Sequence, residues 1–333
     1  MRTNIKNKNV LFITTKNLDY IRNTQELTFV KKVANSYTVI GSNSKYYFVR
    51  LIVVYFSLIK ISTAQFDTAF LGFAPQLVLP LFKHKFRHIY VITDFFVSLF
   101  DTLCEDRKLF SPNGLLGNFL HYLDKVTLHK SDYIICDTIT HGEFFADEFG
   151  IPYSKLHSLY LKADRAIYYP RTVKKFTRLE DKYIVLYFGS ILPLQGIEVI
   201  LQAITMLREE NGIFFYVIGP VKEDTKSAFC ADTTNVKFIN WLSQGELADY
   251  ISQADLCLAG HFNNNIAKAK RTIPGKACIY EAIGKPMILG DNPANHELFV
   301  DDSSHIFVEM GNAHALAEAI HTCACAYFSI TIL

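Results

Sequence analysis

Four cations lie just before or in the first turn of a helix that a proline would begin. They are Lys268, Lys270, Arg271 and Lys276, and Pro274 suits the first turn of a helix. Positive charge beside a helix N-terminus opposes the helix dipole unless an anion is bound there. Lysine holds a phosphate or pyrophosphate by charge, and arginine adds two parallel donors. The segment therefore predicts a site for a phosphorylated ligand, and the alternative is a solvated basic loop leading into an amphipathic helix.

Two further features of the C-terminal half of the sequence favour a phosphorylated ligand. Glu281 follows Pro274 by seven residues, on roughly the same face of the predicted helix. A carboxylate there can accept hydrogen bonds from the vicinal hydroxyls of a ribose, although a surface glutamate would look the same. A loop containing Gly189 and Gly196 joins a strand to a helix, which lets backbone N–H groups approach a phosphate. Such turns occur in every α/β protein, so this second feature is weak on its own.

Carboxylates in the N-terminal half could serve a second substrate. Asp94 directly follows an apolar strand, Asp101, Asp106 and Arg107 come soon after it, and Asp137 ends the next strand. A carboxylate at the carboxyl end of a strand can orient an acceptor hydroxyl or take its proton. The alternative is that these aspartates cap the helices that follow.

The elements that must position these residues form two successive α/β sets. Short β-branched runs alternate with helix-like segments, which predicts a parallel sheet covered on both faces. The pattern restarts after a charged, proline-containing stretch at 162–182, so we predict domains at 1–170 and 171–333. Doubly wound sheets place their ligand crevices at the carboxyl ends of the strands. We expect two such crevices to face each other across one cleft.

Composition narrows the class of protein. Half of the residues are apolar and a fifth are charged, as in a globular protein. The seven cysteines form no CxxC pair, which fits a reducing cytoplasm, and no Asp-x-Asp or other metal site is evident. There is no lysine-arginine stripe for nucleic acid.

Residues 1–170 hold 20 Lys/Arg against 14 Asp/Glu, which suits contact with an anionic membrane surface or reflects a chance imbalance. The apolar run at 51–59 is too short to span a bilayer.

At this point a family resemblance can be stated. The run from Ile184 to Glu297 resembles the C-terminal domain of the retaining group 1 (family 4) glycosyltransferases, which have the GT-B fold of two Rossmann-like domains. A subgroup from bacterial polysaccharide clusters is also similar at Asp94–Thr102 and Asp137-Thr138. The landmarks occur in the family's order: Phe188-Gly189 with Gly196-Ile197, Val217-Ile218-Gly219-Pro220, Ala254–Leu258, Pro274 with Lys276, Glu281-Ala282 with Gly284-Lys285-Pro286, and Glu297.

The resemblance implies a donor site with three departures. Glu281 matches the second glutamate of the family's EX7E motif, which holds the ribose, whereas Ile273 stands where the first would contact the sugar. Ser190 and Gln195 stand where many members have Arg and Lys beside the pyrophosphate. Losing such charges costs about 3 kcal/mol each unless others replace them. We predict that Lys268, Arg271 and Lys276 replace the missing charges. The predicted donor site comprises Gly189, Ser190, Gln195, Gly196, Gly219, Lys268, Arg271, Lys276 and Glu281.

The function implied by the resemblance is a retaining sugar transfer from a UDP- or GDP-sugar, with no resident cofactor, to a lipid-linked or polysaccharide acceptor. Asp94 and Lys276 are the predicted catalytic residues, with Asp101, Asp106, Arg107 and Asp137 on the acceptor side. The setting would be bacterial surface-glycan synthesis (capsule, O-antigen or exopolysaccharide) in the cytoplasm, at the inner face of the plasma membrane.

The segment 321–333 lacks the family pattern, which predicts a missing C-terminal crossover helix. The alternative is a non-catalytic or truncated inactive glycosyltransferase-like subunit. A nicotinamide-dependent dehydrogenase would need a GxGxxG after the first strand, and none is present.

Overall fold

The computed structural model describes residues 1–175, 179–230 and 233–331. The chain divides into two compact units, Met1–Leu161 and Lys162–Leu333. The boundary therefore falls earlier than the predicted position at residue 170. The reason is that Tyr168 is only 4 % exposed and packs in the core of the second unit. Arg171 is also held there, by an ion pair with Asp249 at 3.0 Å.

The first unit is a six-stranded parallel sheet with the strand order β2-β1-β3-β4-β5-β6. Apolar residues fill the central strands on both faces, as a sheet covered by helices on two sides requires. The strands are β1 (Asn9–Ile13), β2 (Ser36–Ile40), β3 (Thr68–Leu71), β4 (Tyr90–Asp94), β5 (Tyr133–Cys136) and β6 (Leu156–Ser158). The helices are α1 (Arg2–Ile5), α2 (Ile21–Val33), α3 (Tyr47–Lys60), α4 (Leu115–Lys130) and α5 (Ile139–Phe149), with a π-helical segment at Asp101–Asp106.

The second unit is also a six-stranded parallel sheet, with the order β12-β11-β10-β7-β8-β9. Two buried apolar clusters lie on the two faces of this sheet. The strands are β7 (Tyr183–Phe188), β8 (Ile213–Ile218), β9 (Val236–Ile239), β10 (Leu256–Gly260), β11 (Met287–Gly290) and β12 (His305–Val308). The helices are α6 (Ile197–Met206), α7 (Glu223–Cys230), α8 (Gln244–Gln253), α9 (Ala267–Arg271), α10 (Gly275–Ile283) and α11 (Ala313–Thr331).

The predicted fold class is confirmed, because both units are doubly wound parallel sheets with flanking helices. The sequence pattern did not reveal β6 and β12. β6 has only three residues, and β12 begins with a histidine. Across the described ranges, no helix combines the length and apolar character that crossing a bilayer would need.

The C-terminal segment is part of the second unit's packing. α11 continues through the residues that lacked a family pattern and buries Leu316, Ile320 and Ala324 against the core beside α6. Further along, the Tyr327 hydroxyl accepts a hydrogen bond from Lys175 Nζ at 3.3 Å. The apolar residues recur every three or four positions, so one helical stripe accounts for the composition of this segment.

Candidate functional site

Two glycines bring the loops after β7 and β8 together at the carboxyl edge of the second sheet. Gly189 follows β7, and Gly219 follows β8 with a φ of +148°. A Cβ atom on Gly219 would lie 2.2 Å from the carbonyl oxygen of Gly189. Only glycine permits this contact, so the two loops leave backbone rather than side chains at the edge of the crevice.

The amino group of Lys276 lies beside these loops. Lys276 is the second residue of α10 and is only 6 % exposed. Its Nζ donates a hydrogen bond to Gln195 Oε1 and lies 4.0 Å from the centre of the Tyr187 ring. A Cβ atom on Gly189 would be 2.9 Å from Nζ, so the absent side chain makes room for the amino group. The carboxyl end of β7 and the start of α10 thus meet at the Lys276 amino group.

The Lys276 amino group is buried, and none of the residues that the structure describes supplies a counter-ion to it. Burial lowers the pKa of Lys276 well below its ordinary value, and no charged neighbour offsets the effect. In the described part of the chain, the partners of Nζ are an amide oxygen and the faces of Tyr187 and Phe188. A buried ammonium group is costly unless an anion completes its environment. An anion bound beside Nζ would therefore favour the charged form of Lys276.

The remaining predicted cations lie on the neighbouring short helix. Lys268 and Arg271 are half-buried on α9, whose Ala269 packs in a small apolar cluster with Leu194. This packing places α9 against the turn that carries Gln195. The carbonyl oxygen of Thr272 lies 3.1 Å from His261 Nδ1, which fixes the segment between α9 and α10.

Ser190 and Gly196 also belong to the carboxyl edge. Ser190 is exposed in the loop after β7. Gly196 has a φ of +70°, and a Cβ atom there would lie 2.7 Å from the backbone nitrogen of Asn263. Gly196 thereby joins the loop after β7 to the loop after β10. The predicted donor-side residues lie on the loops and helices at this carboxyl edge, with one exception.

That one is Glu281, which lies at the opposite edge of the sheet. It is near the C-terminal end of α10, and its Oε2 is 2.8 Å from Nε2 of His305, the first residue of β12. β12 is parallel to the other strands, so His305 marks the amino edge. A helix that follows a parallel strand runs back toward that edge, which carries Glu281 away from Lys276. The structure thus separates two residues that the sequence analysis placed in one site.

The first unit contains a buried ion pair at the end of β4. Both oxygens of Asp94 accept hydrogen bonds from Arg22, each at 2.6 Å, and both side chains are buried. Desolvation raises the pKa of the neighbouring Glu26 well above its ordinary value, and Asp94 adds to the effect. Sequence reasoning missed Arg22 and Glu26, whose i,i+4 spacing on α2 was the available signal.

A second group of predicted residues surrounds His141. Its Nδ1 lies 2.6 Å from Asp137 Oδ1, and its Nε2 lies 3.9 Å from Asp101 Oδ2. Asp101 is fully buried, whereas the side chain of Asp137 is 21 % exposed. The N-cap of α5 is Thr138, whose side chain accepts from the His141 backbone N–H, so Asp137 does not have the capping role. Asp106 is buried, and Arg107 is exposed beside it.

The described residues contain no group of three or more histidine, cysteine or acidic side chains that could hold a metal ion.

Comparisons with known proteins show which fold and which family model the chain matches. Residues 182–325 match the model of the family "Glycosyl transferases group 1". No curated protein matches the chain. Similar solved structures include sucrose-phosphate synthase from Thermosynechococcus elongatus, with a TM-score of 0.68 and 12 % identity over 96 % of this chain and 90 % of that one. Anabaena HepE in complex with UDP and glucose has a TM-score of 0.62 and 11 % identity over 95 % and 89 %. A glycosyltransferase from Rickettsia africae ESF-5 has a TM-score of 0.63 and 15 % identity over 98 % and 89 %.

The chain therefore has the GT-B fold of glycosyltransferases. Within it, residues 182–325 are similar to the domain that the group 1 glycosyl transferase model describes.

Proposed function

We propose that the protein is a glycosyltransferase whose second unit binds a nucleotide diphosphate sugar beside Lys276. The observation that carries the proposal is the buried Lys276 amino group, which has no counter-ion in the described chain where the glycine loops meet α10. HepE, a structure with the same fold, was solved with UDP and glucose. A pyrophosphate would supply the anion that the site lacks, and either a UDP- or a GDP-sugar carries one.

In the proposed reaction, the bond between the anomeric carbon and the diphosphate oxygen breaks. A bond to the acceptor oxygen forms on the same face of the sugar, so configuration is retained, and the proton of the acceptor hydroxyl passes to the departing diphosphate oxygen. Lys276 neutralises charge that develops on the leaving diphosphate, a form of electrostatic stabilisation that works best in a water-poor site. Lys268 and Arg271 would approach the same phosphates from α9 and replace the cations missing at Ser190 and Gln195.

The acceptor is proposed to be lipid-linked or a growing glycan in bacterial surface-polysaccharide synthesis, met at the cytoplasmic face of the membrane. On the acceptor side, Asp137 is the predicted carboxylate that a hydroxyl can reach, with His141 hydrogen-bonded to it. Asp94 is enclosed by Arg22, so we assign it a positioning role at the end of β4. Asp101 would orient His141 from the other side, and Asp106 and Arg107 lie on the adjoining segment.

The experiment is thermal unfolding of the protein with UDP, GDP and their sugar conjugates. A ligand at 100 times its dissociation constant stabilises the folded state by about 2.7 kcal/mol. Gly189→Ala should reduce this effect strongly, because its Cβ would displace the Lys276 amino group. Gly245→Ala is the matched control, since a Cβ there meets nothing within 4 Å. If no nucleotide stabilises the wild type, or if both variants respond alike, the proposed donor site is incorrect.

A non-catalytic nucleotide-binding subunit is the second candidate. It is favoured by Ile273, an apolar residue packed against the core where the family has a sugar-contacting glutamate, and by the neutral Gln195. Stabilisation by a nucleotide sugar, with no release of nucleoside diphosphate in the presence of membrane-lipid or glycan acceptors, would support this candidate.

A further inference from the structure

An uncharged apolar face covers the outer side of α3 in the first unit. Phe48, Phe56 and Ile59 are 73 %, 61 % and 62 % exposed, and Ile52 lies between them. Successive positions are four, four and three residues apart, so they form one stripe along the helix. The opposite side of α3 buries Val54 and Leu58 in the core of the unit. A solvent-facing helix normally presents charges on its outer side, so this stripe calls for a partner.

Cations lie at both ends of this stripe. Lys45 precedes α3, and Lys60 is its last residue. The basic run 83–88 adjoins the C-terminal end, because Lys85 Nζ donates to the carbonyl oxygens of Ile59 and Ile61 at 3.1 and 2.8 Å. The cations that flank Lys85 in this run, Lys83 and Arg87, are exposed. The apolar stripe and the basic run are therefore one continuous surface.

The basic run also lines a cavity of about 360 Å³. The cavity lies at the amino edge of the first sheet, between the start of β4 and the end of α4. Its charged and titratable lining consists of Lys83, His84, Arg87, Lys130 and Asp132. Asp132 is tied to the backbone through its Oδ2, which accepts from the Val91 N–H at 2.8 Å. The lining thus has an excess of positive charge that suits a phosphate group.

We propose that this surface docks on an anionic lipid bilayer. The α3 stripe would lie in the interface between headgroups and acyl chains, and the cavity would hold one lipid phosphate. Tyr46 and Tyr47, at the N-terminal end of α3, have the amphipathic rings that favour this boundary. A second copy of the chain fits less well, because lysines at both ends of the stripe would oppose each other in a symmetric pair. The inference rests on the membrane contact in the proposed function and names the surface that makes it.

The test is sedimentation of the full-length protein with lipid vesicles. Vesicles of phosphatidylcholine alone should bind weakly, and vesicles of equal parts phosphatidylcholine and phosphatidylglycerol should bind well. Lys83→Gln/Arg87→Gln should weaken binding to the mixed vesicles about fivefold for each charge removed. Phe48→Ser/Phe56→Ser should weaken it about tenfold or more for each ring. Both double variants change exposed side chains, so the fold should be retained.

Matched controls come from the second unit. Met206→Ser/Val300→Ser removes exposed apolar side chains, and Lys237→Gln removes an exposed cation. All three residues lie outside the proposed surface, so these variants should bind vesicles like the wild type. Equal binding to both vesicle types, or unchanged binding of the Phe48/Phe56 variant, would overturn the inference. Dimerisation without lipid that the phenylalanine changes abolish would assign the stripe to a second copy instead.

Nucleotide stabilisation, measured on the same variants, separates this inference from the proposed function. If vesicles fail to bind while the nucleotide still stabilises the protein, only the membrane surface is incorrect. If the variants behave as expected with vesicles while no nucleotide binds, only the donor site is incorrect.

Discussion

The Lys276 amino group lies in a place where carrying a charge is costly. Its neighbours are one amide oxygen and two aromatic faces, and desolvation lowers its pKa. Unfolding would return the pKa to its ordinary value, so the unfolded chain binds more protons at pH values between the two. Stability of the ligand-free protein should therefore rise with pH across that window. Binding of a diphosphate restores the charged form and should be stronger at the lower end of the window.

We predict opposite effects of Lys276→Met on stability and on ligand binding. The ligand-free variant should be more stable than the wild type by about 1–3 kcal/mol, because a poorly paired buried polar group is removed. Its unfolding midpoint should lose the rise with pH, and nucleotide diphosphates should no longer stabilise it. Urea unfolding at several pH values, with and without nucleotide, measures all three. Lys270→Met, at an exposed lysine nearby, is the control, and a destabilised Lys276 variant would argue against a ligand site.

Within the element α10, Lys276 and Glu281 lie near opposite ends. The N-terminal end carries Lys276 at the carboxyl edge, and the C-terminal end carries Glu281 beside His305. Glu281→Ala should reduce the free energy of unfolding by no more than about 1 kcal/mol, because the Glu281 side chain is 54 % exposed. The dissociation constant of the nucleotide should remain within about twofold of the wild-type value. A large loss of nucleotide affinity, measured by calorimetry, would return Glu281 to the donor site.

α11 should make a large contribution to the stability of the second unit. Ile320 is fully buried in the cluster that joins α11 to the strands and α6. Ile320→Ala should lower the free energy of unfolding by about 2–5 kcal/mol, the range for deleting a buried aliphatic side chain. Chemical denaturation measures the change, and His314→Ala, an exposed position on the same helix, is the control. Equal stability of the two variants would mean that α11 packs only weakly.

The sequence was sufficient to predict the long apolar strands and the carboxyl-edge glycines, because those depend on local pattern. Gly189, Gly196 and Lys276 lie where that pattern placed them. The position of Glu281 was not accessible in this way, since it depends on the direction of α10 relative to β12. The Arg22–Asp94 pair joins residues that are far apart in the chain, and no local sequence pattern around either residue predicts the contact. Contacts of that kind follow from topology and packing rather than from periodicity.

At the scale of the whole molecule, charge and composition differ between the halves. The 20 Lys/Arg and 14 Asp/Glu of residues 1–170 give way to an acidic excess in the rest of the chain. The basic run 83–88 and the apolar stripe of α3 lie in the first unit, and the Lys276 cluster lies in the second. The proposed donor site and the proposed docking surface thus belong to units with separate hydrophobic cores. Changes that weaken one function can be made without disturbing the other.

The segment that precedes β7 decides how the protein can be divided. Tyr168 is buried in the second core, and Lys175 Nζ binds Asp255 Oδ2 at 2.6 Å. An isolated donor-binding fragment that starts at Lys162 should therefore fold and bind nucleotide by itself. One that starts at Arg171 would leave a hole where the Tyr168 ring packs and should be less stable by about 3–5 kcal/mol. The longer fragment is small enough for NMR titration with nucleotide sugars, and it lacks the first unit, which carries the proposed lipid-binding surface.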